Sequence, residues 1–484
     1  MIDKPTRNHW IVIVQDVLKS LRQFWFLLIL LISGHNKYIY IAGAIIVVST
    51  VVIQIKKWLN TEYYVSDNIL VYKSGVFQKS REEIPFDKIN TIDMGQGVFD
   101  RILGLCTVKI DSGSAIGKEA ELKLKIKYKI AEMLRDTVLN IKNSTVDNDL
   151  QEEKKEEAAP KKVISIREIM IYAITKGKLG WALGGYFAVM NFADDIEKIT
   201  NTTIVKNLTS SIDMNNLILQ DRVKLVFLII GMLLAVYIVM TLLSIIFEIV
   251  KLYRFTIKVQ DKNFNISYGL LSKKEYSIPI DKIHALKYKQ GILQQVLGIY
   301  TIEAITIGYG DEKNEKAILY PIANDDFKQR FLASLLPEMI FSADIKKPPK
   351  HSLKRFIVMR VLLPFIVMIP LYFLVKPVPS EFKIVVILVI TLINILFGYL
   401  NYRNTSLGVT DKLILASEGS FVKTTTIIKQ SSVQSVERKQ NPYQRKAKVC
   451  DYLVSVYSTS LPEAVKVRHM NENLDKELYG NLIM

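Results

Sequence analysis

Hydrophobic and polar positions alternate between two regimes along the chain. Long apolar runs come in pairs: Phe24–Ser33 with Tyr38–Ile55, Leu179–Phe192 with Leu225–Val250, and Phe356–Val375 with Ile384–Leu400. After each pair the pattern changes to short β-favouring runs separated by turn residues. In the first such region Tyr63–Val65, Ile69–Lys73, Val76–Ser80, Lys88–Asp93 and Thr107–Asp111 read as strands, punctuated by Ser66-Asp67-Asn68, Gly75 and Gly113. A last strand (Glu121–Lys125, Lys316–Leu319, Ala464–Val467) then leads into an amphipathic helix (Ile130–Ile141, Asp325–Leu336, Asn471–Leu482) whose apolar face can cap a sheet.

The three regions are copies of one unit. From Val65, Val259 and Val409 they superimpose without a gap at offsets of 194 and 344 residues. Asp67 falls on Asp261 and Asp411, Gly75 on Gly269 and Gly419, Ile84 on Ile278 and Ile428, and Gln96 on Gln290 and Gln440. A register held that long without insertion marks a single folding unit used three times. The aspartates are expected at turns, where a short carboxylate accepts a backbone N–H two residues on. The three glycines suit a hairpin position with positive φ. Gly104 and Gly298 are matched by Lys448, so that glycine is not obligatory. Cys106, Tyr300 and Cys450 share one column, which reads as core filling and not as a redox pair.

A helix crossing the hydrocarbon needs about 20 residues. Tyr38–Ile55, Leu225–Val250, Phe356–Val375 and Ile384–Leu400 meet that length closely, whereas Phe24–Ser33 and Leu179–Phe192 are short enough to be re-entrant or interfacial. Pairing argues for spanning, since an odd crossing would put like units on opposite sides. Anchors are expected at 1–58, 163–252 and 353–402, β-rich units at 59–143, 253–340 and 403–484, and linkers at 144–162 and 341–352. Ile11–Leu21 and Ile164–Ile174 read either as helices lying along the bilayer surface or as extensions of the membrane helices. Basic residues concentrate on the side bearing the repeats, which predicts that both termini and all three units are cytoplasmic.

Composition changes little in this picture. Half of the 484 residues are hydrophobic and 23% are charged, a mixture suited to membrane segments alternating with soluble domains. The net charge of +17 fits the loop bias of a multi-pass membrane protein, and no single unit concentrates it as nucleic-acid binding would need. No cleavable signal peptide is expected, because Lys19 and Arg22 interrupt the first apolar stretch. The five histidines are scattered without metal-ligand spacing, and Gly95-x-Gly97 and Gly308-x-Gly310 lack the strand-to-helix setting of a phosphate loop. No catalytic residue, metal or cofactor is expected, and Glu152–Glu157 reads as a solvated linker.

Strands around a Gly turn, then Ile-Pro-x-Asp-Lys-Ile at Ile84–Ile89 and Ile278–Ile283, then Gln-Gly and Leu-Gly, all following an apolar pair, resemble the bacterial pleckstrin-homology-like family. Threefold repetition is similar to its YdbS/YdbT-type membrane proteins, the longer form above all. The third copy departs at Lys429 and Ser431-Ser432. The resemblance implies an α+β multi-domain membrane protein, with three PH-like β-barrel or sandwich modules, each capped by a C-terminal helix and preceded by a transmembrane hairpin, six helices in all. It implies a bacterial plasma-membrane location and carries over no catalytic or ligand residues. The expected function is non-enzymatic binding or scaffolding, set in cell-envelope stress or resistance to membrane-active agents. A transporter or exporter component is the alternative. Expected partners are anionic lipid headgroups and a protein, such as a smaller PH-like membrane protein of the same family. Lys56, Lys57, Lys176, Lys178, Lys251, Arg254, Lys354, Arg355 and Arg403 are the candidate headgroup contacts.

Overall fold

The computed structural model describes residues 4–23, 37–76, 78–89, 91–111, 122–146, 160–176, 222–260, 262–306, 317–374, 380–456, 463–474, 478 and 480. The apolar runs Phe24–Ser33 and Leu179–Phe192, the Glu152–Glu157 linker, Asp261, Lys178 and half of Asn471–Leu482 lie outside them.

In the first copy, strands β1 (Glu62–Ser66), β2 (Ile69–Ser74) and β3 (Ser80–Pro85) form one antiparallel sheet, and β4 (Thr91–Gln96), β5 (Leu105–Asp111) and β6 (Leu122–Lys127) form another. Strand β7 (Lys161–Val163) precedes the second copy, which contains β8 (Thr256–Gln260), β9 (Asn263–Tyr268), β10 (Lys273–Pro279), β11 (Ile283–Gly291), β12 (Tyr300–Thr306) and β13 (Ala317–Ala323). The third has β14 (Ser406–Val409), β15 (Leu413–Glu418), β16 (Val422–Lys429), β17 (Val433–Lys439), β18 (Val449–Val456) and β19 (Glu463–Asn471). Among the described residues each copy therefore has six strands in two groups of three.

Two expected strands moved. Val76, Gln78 and Lys79 lie outside any strand, and β3 begins at Ser80, where that run ended; Phe86–Lys88 is a 3-10 turn, so β4 starts later than Lys88. Period-2 alternation cannot distinguish a strand from its neighbour in frame, and Pro85, unable to donate in a ladder, closes β3 instead of starting a loop. In the third copy the strand runs through Asn471, followed by a 3-10 turn at Glu472–Leu474, where the expected helix was to begin. The helix after β6 spans Tyr128–Val146 and buries Ala131, Leu134 and Val138 on the first core.

The copies are not independent beads. β10 of the second copy pairs with β4 of the first, giving the order β6-β5-β4-β10-β9-β8-β7, and β16 of the third pairs with β11 of the second, giving β13-β12-β11-β16-β15-β14. Both joints use one register. Gln96 faces Lys273 in the first, and the same two columns, Gln290 and Lys423, face each other in the second. Cores are shared accordingly: Leu413, Leu415 and Ile427 of the third copy pack into the second, while Ala285 and Ile305 of the second pack into the third. Ile427 and Ile428 are both buried because both faces of this sheet are covered. The segment before each anchor also joins a sheet: Thr6 bridges Tyr63, Lys162 pairs with Ile257 and Lys346 bridges Leu407, three positions of one column. The expected linkers at 144–162 and 341–352 thus end in sheet partners.

Helix α1 (Ile11–Gln23) precedes α2 (Lys37–Leu59), with Gln54 Nε2 donating to Ser20 Oγ at 3.3 Å. After the short helix α3 (Val98–Ile102) and α4 (Tyr128–Val146), α5 (Ile166–Thr175) starts at a Ser165–Glu168 capping box. Its Ile169 and Tyr172 are buried in the second core and Ala173 is buried as well, so this helix packs on the module. Next come α6 (Arg222–Leu252), α7 (Ile292–Leu297), α8 (Leu353–Leu374), α9 (Ser380–Asn404) and α10 (Pro442–Lys446). Among the described residues two helices, at Lys350–Leu374 and Lys383–Asn404, are long and apolar enough to cross a membrane. These two meet closely at Gly398, where a Cβ would lie 2.8 Å from Ile357 Cα. Cys106 and Cys450 are buried, and burial pushes the Cys106 thiol up to about 12.

The second joint is expected to respond to pH. His284 Nδ1 of β11 lies 2.6 Å from Ser432 Oγ of the third copy. Burial, then Lys429 and Lys282, lower its pKa from the usual 6.5. The folded state binds this proton less readily than the unfolded chain, so the contribution is complete above about pH 6.5 and lost as pH falls through the lowered value. Amide exchange of β11 and β16, corrected for intrinsic rates, is expected to speed up between pH 7 and 5. In His284→Asn that acceleration is expected to shrink.

Candidate membrane-facing surface

The hairpin turns at Gly75, Gly269 and Gly419 have φ of 116°, 114° and 121°, a region open to glycine. Each is tied to the end of a long apolar helix. Asn60 Nδ2 donates to Gly75 O at 3.1 Å, Gly269 N donates to Tyr253 O and Leu270 N to Val250 O, both at 2.9 Å, and Gly419 N donates to Asn401 Oδ1 at 3.1 Å. Phe421, just beyond the third glycine, meets Phe397 of α9 edge-on at 6.1 Å between centroids. The tip of this hairpin therefore lies alongside an apolar helix and not beyond its end.

The same side carries the three short helices α3, α7 and α10, one per copy. Each is started by an identical device: the residue three positions in (Asp100, Gln294, Gln444) accepts the backbone N–H of the preceding cap residue (Gly97, Gly291, Asn441) at 3.3, 2.9 and 2.9 Å. With the polar side chain turned inward, the remaining ones point out. Phe99 is 75% exposed, Ile102 76%, Val296 79% and Tyr443 79%. Each helix also touches an anchor or the next copy's turn. Arg101 donates to Leu270 O, Gln295 Oε1 accepts from Asn404 Nδ2 at 2.9 Å, and Arg355 Nη2 donates to Tyr443 O at 3.0 Å. Exposed apolar side chains on a soluble face would be a liability; gathered at the helix ends, they suit the boundary of a bilayer.

The described candidate basic residues lie at or near helix ends. Lys56 and Lys57 end α2, with Lys57 Nζ 3.9 Å from Asp16. Lys176 Nζ is 3.3 Å from Glu248 and stacks over Tyr172 at 4.7 Å, so its charge is engaged internally. Lys251 and Arg254 sit at and just past the end of α6, where Arg254 covers Tyr253 at 5.6 Å. Lys354 is exposed at the start of α8, Arg355 is held by Tyr443, and Arg403 is exposed at the end of α9. Lys423, not singled out from the sequence, lies beside Arg403: burial first, then Arg403 and Lys347, lower its pKa. An anion there would relieve that repulsion. Spacing in sequence could not reveal this cluster, because its members come from a linker, a helix end and a strand.

Of the repeat-defining residues, Ile84, Ile278 and Ile428 are buried core. Gln96, Gln290 and Gln440 each donate from Nε2 to a backbone oxygen nine residues on, Leu105, Ile299 and Val449, at 2.7, 3.1 and 3.0 Å. These bonds lock the loop that carries each short helix. Asp67 has φ of 51° in a tight turn, where its Oδ2 accepts from Ser66 Oγ at 3.2 Å and not from the backbone N–H two residues on. At the third turn the side-chain bond is made by Thr410 Oγ1, which accepts from Leu413 N at 2.9 Å, and not by Asp411. Lys448 keeps the positive φ of Gly104 and Gly298, at 52°.

A cleft of about 470 Å³ lies at the first joint, lined by Arg135, Lys258, Asn265 and Glu275 among others. Arg135 Nη1 donates to Glu275 at 3.0 Å across it, so its charges largely satisfy one another.

Comparison with known proteins accounts for the threefold pattern. A family model described as the bacterial PH domain matches residues 17–142, 217–334 and 361–482. The chain is similar to the UPF0699 transmembrane protein YdbT of Bacillus subtilis (strain 168), at 26% identity over 498 residues, covering 98% of this chain and 97% of that protein. No solved structure matches. Three matched regions spanning most of the sequence, each containing an apolar helix and its six strands, make this chain a member of the bacterial PH domain family.

Proposed function

We propose that the chain is a non-enzymatic, multi-pass plasma-membrane protein whose three PH-like modules rest on the cytoplasmic leaflet and bind anionic lipid there while presenting their other surfaces to a protein partner. All six apolar runs cross in this reading, and both termini are cytoplasmic. Recurrence of one exposed apolar helix beside each anchor carries the reading. Apolar side chains at the boundary supply depth, and each nearby Lys or Arg adds about 1 kcal/mol of attraction to an anionic surface. Three such contacts on one chain act together, since the first raises the effective concentration of the others. A scaffold for the envelope under stress, pairing with a smaller PH-like membrane protein, is the physiological setting this arrangement fits.

The test uses the whole protein in liposomes. Ile102→Cys and Val296→Cys carry an environment-sensitive fluorophore, while buried Cys106 and Cys450 leave little background. Emission is expected to shift blue and to be quenched by brominated lipid chains, more strongly in anionic than in zwitterionic vesicles. Full quenching by aqueous iodide with none by brominated chains would sink the proposal.

A further inference from the structure

The three short helices α3, α7 and α10 share a backbone plan but differ in what their outer side chains offer. In the column of Ile102 and Val296 the third copy has Lys446, and in that of Leu103 and Leu297 it has Ala447. Lys448 stands where the others have Gly104 and Gly298, and Arg445 where the second copy has Gln295. Arg445, Lys446 and Lys448 are all exposed. The first two tips are therefore apolar and the third is cationic. Lys448 carries its charge at a conformational cost, since its φ of 52° lies in the left-handed region that glycine occupies freely in the other copies.

This third tip is fixed to the start of a membrane-length helix. His351 Nε2 lies 3.0 Å from Ala447 O, and Arg355 Nη2 donates to Tyr443 O at 3.0 Å. Both partners come from the stretch that opens the apolar helix at Lys350–Leu374. The two bonds set the segment carrying Lys350, Lys354 and Arg355 against the one carrying Arg445, Lys446 and Lys448. Neither 350–355 nor 442–448 contains a carboxylate. Cations assembled in this way repel one another, and a facing anion turns that repulsion into attraction. Tyr443, 79% exposed, adds a ring with an apolar body and a polar tip, the kind of side chain that sits at headgroup level. A helix of bilayer length begins here, so the anion at this depth is a lipid phosphodiester, whose oxygens accept from Arg and Lys.

We infer that the α10 tip and the first turn of α8 form a headgroup-phosphate site, so that the third module selects anionic lipid while the tips of the first two supply apolar depth. This rests on the reading that the modules meet the bilayer and goes beyond it by assigning charge selectivity to one module.

The experiment uses the whole protein in vesicles holding equal phosphatidylglycerol and phosphatidylcholine. A diazirine side chain replaces Tyr443, Ile102 or Val296 in turn, and mass spectrometry reads the lipid adducts after illumination. Position 443 is expected to favour phosphatidylglycerol, and positions 102 and 296 to show little preference. Arg445→Gln with Lys446→Val and Lys448→Gly gives the third tip the residues of the second, which the same backbone plan already accommodates. The preference at 443 is expected to fall at least about fivefold, the worth of one cation near an anionic surface. Arg445→Lys with Lys446→Arg and Lys448→Arg keeps the charge and is expected to keep the preference. Unchanged amide exchange in β17 and β18 checks folding. Equal adducts at 443 in the otherwise wild-type chain, a preference that survives the neutral triple variant, or the same preference at 102 and 296 overturns the inference. So does loss of the lipid adduct on adding inorganic phosphate or a short RNA at physiological salt, which would mark a soluble anion as the occupant. Brominated-chain quenching at 102 and 296 with no preference at 443 sinks this inference alone, whereas full iodide quenching there sinks the wider reading.

Discussion

Lys125→Met is expected to open the first module locally by about 3 to 5 kcal/mol, the usual consequence of stranding a buried charge. Lys125 Nζ lies 2.7 Å from Asp100 Oδ1 and 2.6 Å from Gln15 Oε1, and the side chains of the ion pair are 8% and 9% exposed. Without the ammonium, the buried Asp100 carboxylate keeps the Gly97 N–H at 3.3 Å. The effect would spread in two directions. Asp100 starts the short helix that carries Phe99 and Ile102, so that helix frays. Lys125 also holds the N-terminal segment through its backbone, since its N–H donates to Asn8 Oδ1 at 2.9 Å and its carbonyl accepts from His9 N at 3.0 Å. Amide exchange measured on the whole protein should rise in β5 and β6 and stay unchanged in β18 and β19. Asp100→Asn combined with Lys125→Met should recover most of the loss, because no charge is then left buried alone. If the single variant exchanges like wild type, the pair is not structural.

Gly269→Ala is expected to cost about 3 kcal/mol, the upper end for a backbone forced out of its allowed region. An added Cβ would lie 1.9 Å from Ser272 O at a φ of 114°, so both the space and the backbone conformation refuse it. Relief requires the turn to rearrange. That movement breaks the bonds from Gly269 N to Tyr253 O and from Leu270 N to Val250 O, which hold the module on its anchor. Gly291→Ala is the control: its φ is −66° and a Cβ there would meet Thr175 O at an ordinary 3.4 Å. Exchange in β9 and β10 should rise sharply in the first variant and little in the second. Gly75→Ala and Gly419→Ala should behave as Gly269→Ala does, since a Cβ there would lie 1.9 and 2.0 Å from Gln78 O and Val422 O. Equal behaviour of Gly269→Ala and Gly291→Ala would show that the turn is not a constraint.

Much of the architecture was legible because it repeats. One ungapped register identified the modules, and the glycine column identified turns whose φ values agree within a few degrees. The cysteine column read correctly as core: Cys106, Tyr300 and Cys450 are all buried. The short helices α3, α7 and α10 escaped, since five or six residues are too few for a 3.6-residue period to show. Strand frames also slipped, as at Val76–Ser80, because alternation specifies which side chains share a face and leaves the strand's ends to the turns.

The amino-acid order by itself determined the number of modules, their family, their paired apolar runs and the side chains that fill each core. Those depend on local periodicity and on which residues leave water. Only the tertiary structure decided that neighbouring modules share sheets and that apolar tips gather at the anchor ends. Strand edges pair through backbone N–H and C=O groups, which every residue except proline carries alike, so side-chain pattern cannot name an edge's partner.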